Sequence, residues 1–254
     1  MQNATCCVPV SPLRTEPAHR SEMVSQQLFG ETCNIIESTN DWVKVKCDFD
    51  GYEGWCQEAH VRAIESDSKN NLILFAEDVI NVLEFHSNLM LIPMGACLSG
   101  YQEKKGIWED EEIVYSGKVW NAADVAITPD LIRKVSYKFL NTSYLWGGKS
   151  IFGIDCSGFV QTVFKFLNIK LLRDASSQIT QGKEIDFSQA TAGDLAFFNN
   201  EEGKIIHVGI LLNSSNIIHA SGKVRLDAID AKGIINSETL QRTHHLNKVM
   251  RHLI

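Results

Sequence analysis

The sequence predicts a multidomain protein in which two small all-β barrels precede an α+β domain with an antiparallel sheet. Three observations predict it. Short apolar stretches separated by polar turns fill the first half of the 254 residues. Two landmarks in that half recur at one offset. A glycine-rich loop then runs into a helical pattern at Cys156, and three more short apolar stretches follow.

Composition narrows the class of function. A hydrophobic content of 44% is ordinary for a folded chain. The formal charge of −7, without a basic stripe, gives no support to a nucleic-acid partner, and no apolar run reaches the ~18 residues of a membrane span. The amino terminus has neither a positive start nor an apolar core, so we expect no signal peptide and a cytoplasmic protein. Seven cysteines without a CxxC pair read as reduced thiols.

In chain order, strands are expected at 33–38 and 42–47, the second with strict period-two alternation. Asp48-Phe49-Asp50-Gly51 is a turn before a strand through Trp55. Positions 72–127 look like a diverged copy, because Gly30 to Gly95 and Trp55 to Trp120 are both 65 residues apart. Residues 66–71 have linker composition, and the acidic run at 109–112 reads as a solvated hairpin. The expected domains are therefore 1–64, 72–127 and 128–254. The last opens at Thr128-Pro129, a capping residue with proline at the first helical position, and Leu131, Ile132, Val135 and Phe139 continue at helical spacing.

The second helix carries the chemistry. Phe159, Val160, Val163, Phe164 and Leu167 form an amphipathic stripe that places Cys156 in the first turn, where backbone N–H groups and the helix dipole favour a thiolate. Strands follow at 195–198, 205–212 and 217–220, and two of them carry His207 and His219. A thiol is only a few per cent ionised at neutral pH and needs a base, for which His207 is placed. His219 on the next strand would orient that imidazole. The Cys156 backbone N–H and the Tyr144 hydroxyl are candidate oxyanion donors.

Tyr144-Leu145-Trp146-Gly147-Gly148, Asp155-Cys156-Ser157-Gly158-Phe159, Gly193-Asp194-Leu195, His207-Val208-Gly209-Ile210 and Ile218-His219-Ala220 together resemble the motif series of the NlpC-type, papain-like cell-wall cysteine peptidases. Thr191-Ala192 stands before Gly193 where that family commonly has proline. With two bacterial SH3-like modules in front, the chain is most similar to the γ-D-glutamyl-diamino acid endopeptidases. The resemblance implies Cys156 as nucleophile, His207 as base, His219 as third member, and the first module as a wall of the cleft. It also implies a murein peptide with a free amino-terminal L-alanine, such as L-Ala-γ-D-Glu-diaminopimelate, as substrate in cell-wall recycling. Recognition would fall to Glu22 and Tyr52 of the first module and to Trp146, Asp155, Ser157 and Asp174 of the catalytic domain. Asp155 alternatively only caps the helix. A monomer without metal or organic cofactor is expected.

Two rival readings use the same residues. Cys156, His207 and His219 are zinc-ligand types, but separations of 51 and 12 residues match no compact metal motif, and His244-His245 reads as a polar surface pair. A non-catalytic wall-binding protein would not need all three reactive residues.

Overall fold

The structure, a computed structural model, describes residues 2–64, 73–85, 87–98, 101–102, 105–108 and 111–252. The linker expected at 66–71 and the acidic residues Glu109 and Asp110 lie outside them. By its contacts the chain forms two compact units, residues 1–125 with 146–152, and residues 126–145 with 153–254.

In the first unit, β1 (Gln2–Cys6), β2 (Val10–Arg14), β3 (Met23–Leu28), β4 (Thr32–Thr39), β5 (Trp42–Cys47), β6 (Glu53–Gln57) and β7 (Val61–Ala63) form one sheet in the order β3-β2-β6-β5-β4-β1-β7. The alternation in β5 turns Val43, Val45 and Cys47 onto Ala4, Leu13, Cys33 and Cys56. These cysteines pack as small apolar residues. Burial raises the Cys56 thiol to about 12, so it is inert at neutral pH.

The next strands are β8 (Leu74–Ala76), β9 (Ile80–Phe85), β10 (Asn88–Pro93), β11 (Tyr101–Gln102), β12 (Lys105–Trp108), β13 (Glu111–Tyr115) and β14 (Val119–Asn121). They make a five-stranded sheet, β10-β9-β13-β12-β11, and a pair, β14-β8. Phe29 of the first module belongs to this second core, packing with Ala76, Leu83, Phe85, Ile92 and Tyr115. Its neighbour Gly30 has φ +76°, and a Cβ there would sit 2.1 Å from the Cys97 carbonyl oxygen. Only glycine allows the Cys97 N–H to reach the Phe29 carbonyl at 2.7 Å.

Residues 146–152, with β15 (Lys149–Ser150), complete the first unit. Lys149 is 4% exposed and Glu31 3% exposed. Their charged ends lie 3.7 Å apart, and the Lys149 ammonium stands over the Phe49 ring. Removing either partner would leave an uncompensated charge in an enclosed place. The Lys149 N–H donates to Gln26 Oε1 at 2.8 Å.

In the second unit α1 (Pro129–Tyr137) starts where its capping sequence places it, with Thr128 Oγ1 accepting from the Leu131 N–H at 3.2 Å. There follow β16 (Gly153–Ile154), α2 (Cys156–Phe166), α3 (Ala175–Gln178), β17 (Lys183–Ile185), β18 (Leu195–Asn199), β19 (Ile205–Leu211), β20 (Asn216–Ser221), β21 (Lys223–Asp230), β22 (Gly233–Ile235) and β23 (Arg242–Arg251). The sheet order is β17-β23-β18-β19-β20-β21-β22, and β23 also pairs with β22. Strands β18 to β23 therefore close on themselves.

One expectation is corrected here. The stripe predicted an amphipathic α2, yet all eleven of its residues are buried. The helix packs on β19 and β20 and also touches α1 and α3, and its polar side chains are enclosed too. Gln161, for example, donates Nε2–H to the Leu171 carbonyl at 3.0 Å.

Candidate active site

Asp155 is the N-cap of α2 and accepts from the Gly158 N–H at 2.7 Å, so Cys156 is the first residue of the helix. The Val208 backbone hydrogen-bonds the Cys156 sulfur. Val208 immediately follows His207 on β19, which brings the thiol to the strand that bears the imidazole. The expectation of a ready thiolate is corrected. Burial first and the Asp155 carboxylate second push the Cys156 thiol up to about 12, although the Val208 and Ser157 backbone and the Arg173 cation pull it down. Burial, then the neighbouring His219 and His244, hold His207 well below its ordinary value. Each group resists a lone charge. A proton passed from the thiol to the imidazole would leave opposite charges that offset each other.

Register brings the histidines together. Gly209 on β19 pairs with His219 on β20, and His207 lies two residues before Gly209 on the same face. A Cβ at Gly209 would lie 2.8 Å from the His219 Cβ and 2.7 Å from Ile217. Glycine thus admits the diagonal approach in which His207 Nε2 lies 2.8 Å from His219 Nδ1. His219 Nε2 continues to Asp227 Oδ2 on β21 at 2.9 Å. Tyr144 is half-buried, and burial first, with Cys156 and Asp155 adding, keeps its phenol protonated and able to donate.

Around the helix start, Arg173 grips Asp155 through Nη1 at 3.0 Å and Nη2 at 2.6 Å and donates to Ser157 Oγ at 3.0 Å. The Ser157 carbonyl accepts from Gln178 Nε2 at 3.0 Å. Asp174 is the N-cap of α3. In the first unit, Trp146 Nε1 donates to Glu22 Oε1 at 2.7 Å, so two residues expected in different domains meet there. The Tyr52 N–H donates to Asp50 Oδ1 at 3.0 Å in the turn that the sequence predicts. Among the described residues, no cluster of three or more His, Cys, Asp or Glu is arranged to hold a metal ion.

Three residues of this site escaped the sequence reading: Arg173, Asp227 and His244. His244 does not belong to a surface pair. Instead its ring stacks on His207, with centroids 4.3 Å apart and planes at 27°, while His245 is exposed. The alternation of β23 is the signal that separates the two.

A helix-start cysteine, a histidine chain on the following strands and a phenol near the cysteine are the groups that a cysteine peptidase uses. Residues 141–243 match the NlpC/P60 family, and residues 13–61 match the bacterial dipeptidyl-peptidase SH3 domain. The chain is 31% identical over 213 residues to the gamma-D-glutamyl-L-lysine dipeptidyl-peptidase of Bacillus subtilis, spanning 77% of this chain and 71% of that protein. It is 26% identical over 274 residues to dipeptidyl-peptidase 6 of Lysinibacillus sphaericus, spanning 95% and 97%. The crystal structure of an NlpC/P60 family protein from Bacillus cereus shares the fold, with a TM-score of 0.86 at 20% identity over 99% of this chain and 100% of that one. The chain belongs to the NlpC/P60 family: it is a peptidase with an SH3-like domain at its amino-terminal end.

Proposed function

We propose that the protein hydrolyses the bond between γ-D-glutamate and an L-diamino acid in murein peptides that begin with a free L-alanine. The observation that carries the chemistry is the Val208 contact to the Cys156 sulfur next to the His207–His219 pair. Two relatives, of Bacillus subtilis and Bacillus cereus, are gamma-D-glutamyl-L-lysine dipeptidyl-peptidases, and they suggest the bond type. As His207 Nδ1 takes the thiol proton, the Cys156 sulfur bonds to the γ-carbonyl carbon, and the oxyanion is held by the Cys156 N–H and the Tyr144 hydroxyl. The C–N bond then breaks, and His207 returns the proton to the leaving amine. Water, deprotonated by His207, cleaves the thioester and restores the thiol.

Specificity for a free amino end would come from acceptors for an ammonium. Glu22, Tyr52 and Asp174 are the residues we assign to it on the strength of the resemblance, with Trp146, Asp155 and Ser157 supporting them. Asp155 and Ser157 are already bonded to Arg173, which suits them to shaping the site. Such an enzyme acts on released wall fragments, because an acylated alanine has no ammonium to offer. We also read the second β module, 72–127, as a diverged copy of the first. Gly30 and Gly95 both take positive φ, at 76° and 86°.

Mass spectrometry of digests tests the assignment. L-Ala-γ-D-Glu-diaminopimelate and its L-lysine counterpart should release L-Ala-D-Glu, and the preferred diamino acid is read from the relative rates. Cys156→Ala should abolish turnover, and full turnover by that variant refutes the thiol mechanism. N-acetylation of the substrate should abolish cleavage; undiminished cleavage would refute the free-amine requirement and favour action on intact stem peptides.

A further inference from the structure

His207, His219 and Asp227 stand on the adjacent strands β19, β20 and β21, joined by contacts of 2.8 and 2.9 Å. We propose that Asp227 is a positioning residue that fixes the tautomers of both histidines, leaving His207 Nδ1 as the one basic nitrogen of the chain.

Asp227 is 3% exposed and surrounded by donors. Its Oδ1 accepts from Arg225 Nη2 at 3.0 Å and from the Ser237 N–H and hydroxyl, each at 2.8 Å. Arg225 Nε lies 2.8 Å from Oδ2. Burial works against ionisation, but the bonds from His219, Ser237 and Arg225 outweigh it and hold the carboxyl well below the usual range. A carboxylate can only accept, so His219 Nε2 must carry a hydrogen. In neutral His219 the Nδ1 is then bare and accepts, which puts a hydrogen on His207 Nε2 and leaves His207 Nδ1 with its lone pair. Without Asp227 both imidazoles could reverse, and the basic nitrogen would face His219 in place of the thiol. Register selects this aspartate: Arg225 is opposite His219, and Asp227 lies two residues on, on the same face.

The inference rests on the assignment of Cys156 and His207, but its test has a readout independent of turnover. In Asp227→Asn the three donors at Oδ1 retain the carbonyl oxygen there, which turns the amide NH2 toward His219 Nε2 and inverts both tautomers. Nitrogen-15 NMR of histidine-labelled protein should show protons on Nε2 of His207 and His219 in the wild type and on Nδ1 in the variant. The variant's kcat should fall about 100-fold or more, with KM within about threefold. Ser237→Ala keeps the carboxylate and should keep the wild-type tautomers. A wild-type His219 protonated on Nδ1, unchanged tautomers in Asp227→Asn, or a kcat within about threefold of wild type would each overturn the proposal. Full turnover by Cys156→Ala would overturn the assignment of Cys156 as nucleophile instead, while the NMR spectra still report the proton chain.

Discussion

Arg173 holds Asp155 with two nitrogens, at 3.0 and 2.6 Å, inside the second unit. Both ends of this ion pair are buried, and Asp155 is also the cap of the helix that begins at Cys156. Removing the cation strands a buried carboxylate, so Arg173→Ala should cost about 3–5 kcal/mol of stability, measured by urea unfolding. Arg173→Lys should recover only part of that loss, because an ammonium cannot reproduce the planar fork. A loss under about 1 kcal/mol would mean that the pair is solvated.

The rate should persist into mild acid. Burial and the neighbouring His219 and His244 hold His207 well below 6.5, so the proposed base stays unprotonated at pH values where an exposed histidine is already charged. The acid limb of kcat/KM, which reports the free enzyme, should have its midpoint below pH 6.5. A midpoint at or above that value would show that the resting imidazole is not desolvated.

Stability should follow the opposite course on acidification. Burial lowers His244 from 6.5 to about 4, and it lowers His60 and His252 from the same value. Below pH 6.5 the unfolded chain binds protons that the folded chain refuses, so stability is complete above that pH and drains away toward pH 4. Urea midpoints taken at intervals between about pH 7 and pH 4 should fall steadily. His244→Phe, which keeps a ring against His207, should flatten part of the slope.

Gly209 should tolerate no side chain. A Cβ would press on the Cβ of His219 and on Ile217 at 2.8 and 2.7 Å, an overpacking that costs about 1–3 kcal/mol. Because the strain falls between the two histidines, Gly209→Ala should lower kcat more than it raises KM. Steady-state kinetics beside a melting curve would separate the two effects; a stable variant with wild-type kcat would show that the diagonal contact is not sensitive to strand spacing.

Local signals were legible in the chain. Period-two alternation announced β5, the Thr128-Pro129 pair announced α1, and the glycine loop with its apolar stripe placed Cys156 at the start of α2. His207 and His219 stood out because each interrupts an apolar strand. Asp227 had no such contrast. It lies in Lys223-Val224-Arg225-Leu226-Asp227-Ala228-Ile229-Asp230, where charged and apolar residues alternate and Asp230 looks the same. Arg173 and Asp174 are adjacent charges, and nothing local shows that Arg173 is the enclosed one.

Sequence by itself determined the first helix of the last domain, the cysteine's place at a helix start and the two histidines within apolar strands, because each depends on periodicity or capping within a few residues. Tertiary structure alone decided which charges are buried together. The register of β19, β20 and β21 singled out Asp227, strand closure brought His244 onto His207, and enclosure of α2 made the Cys156 thiol a poor acid. Desolvation and cross-strand contact depend on residues far apart in the chain, so no local pattern encodes them.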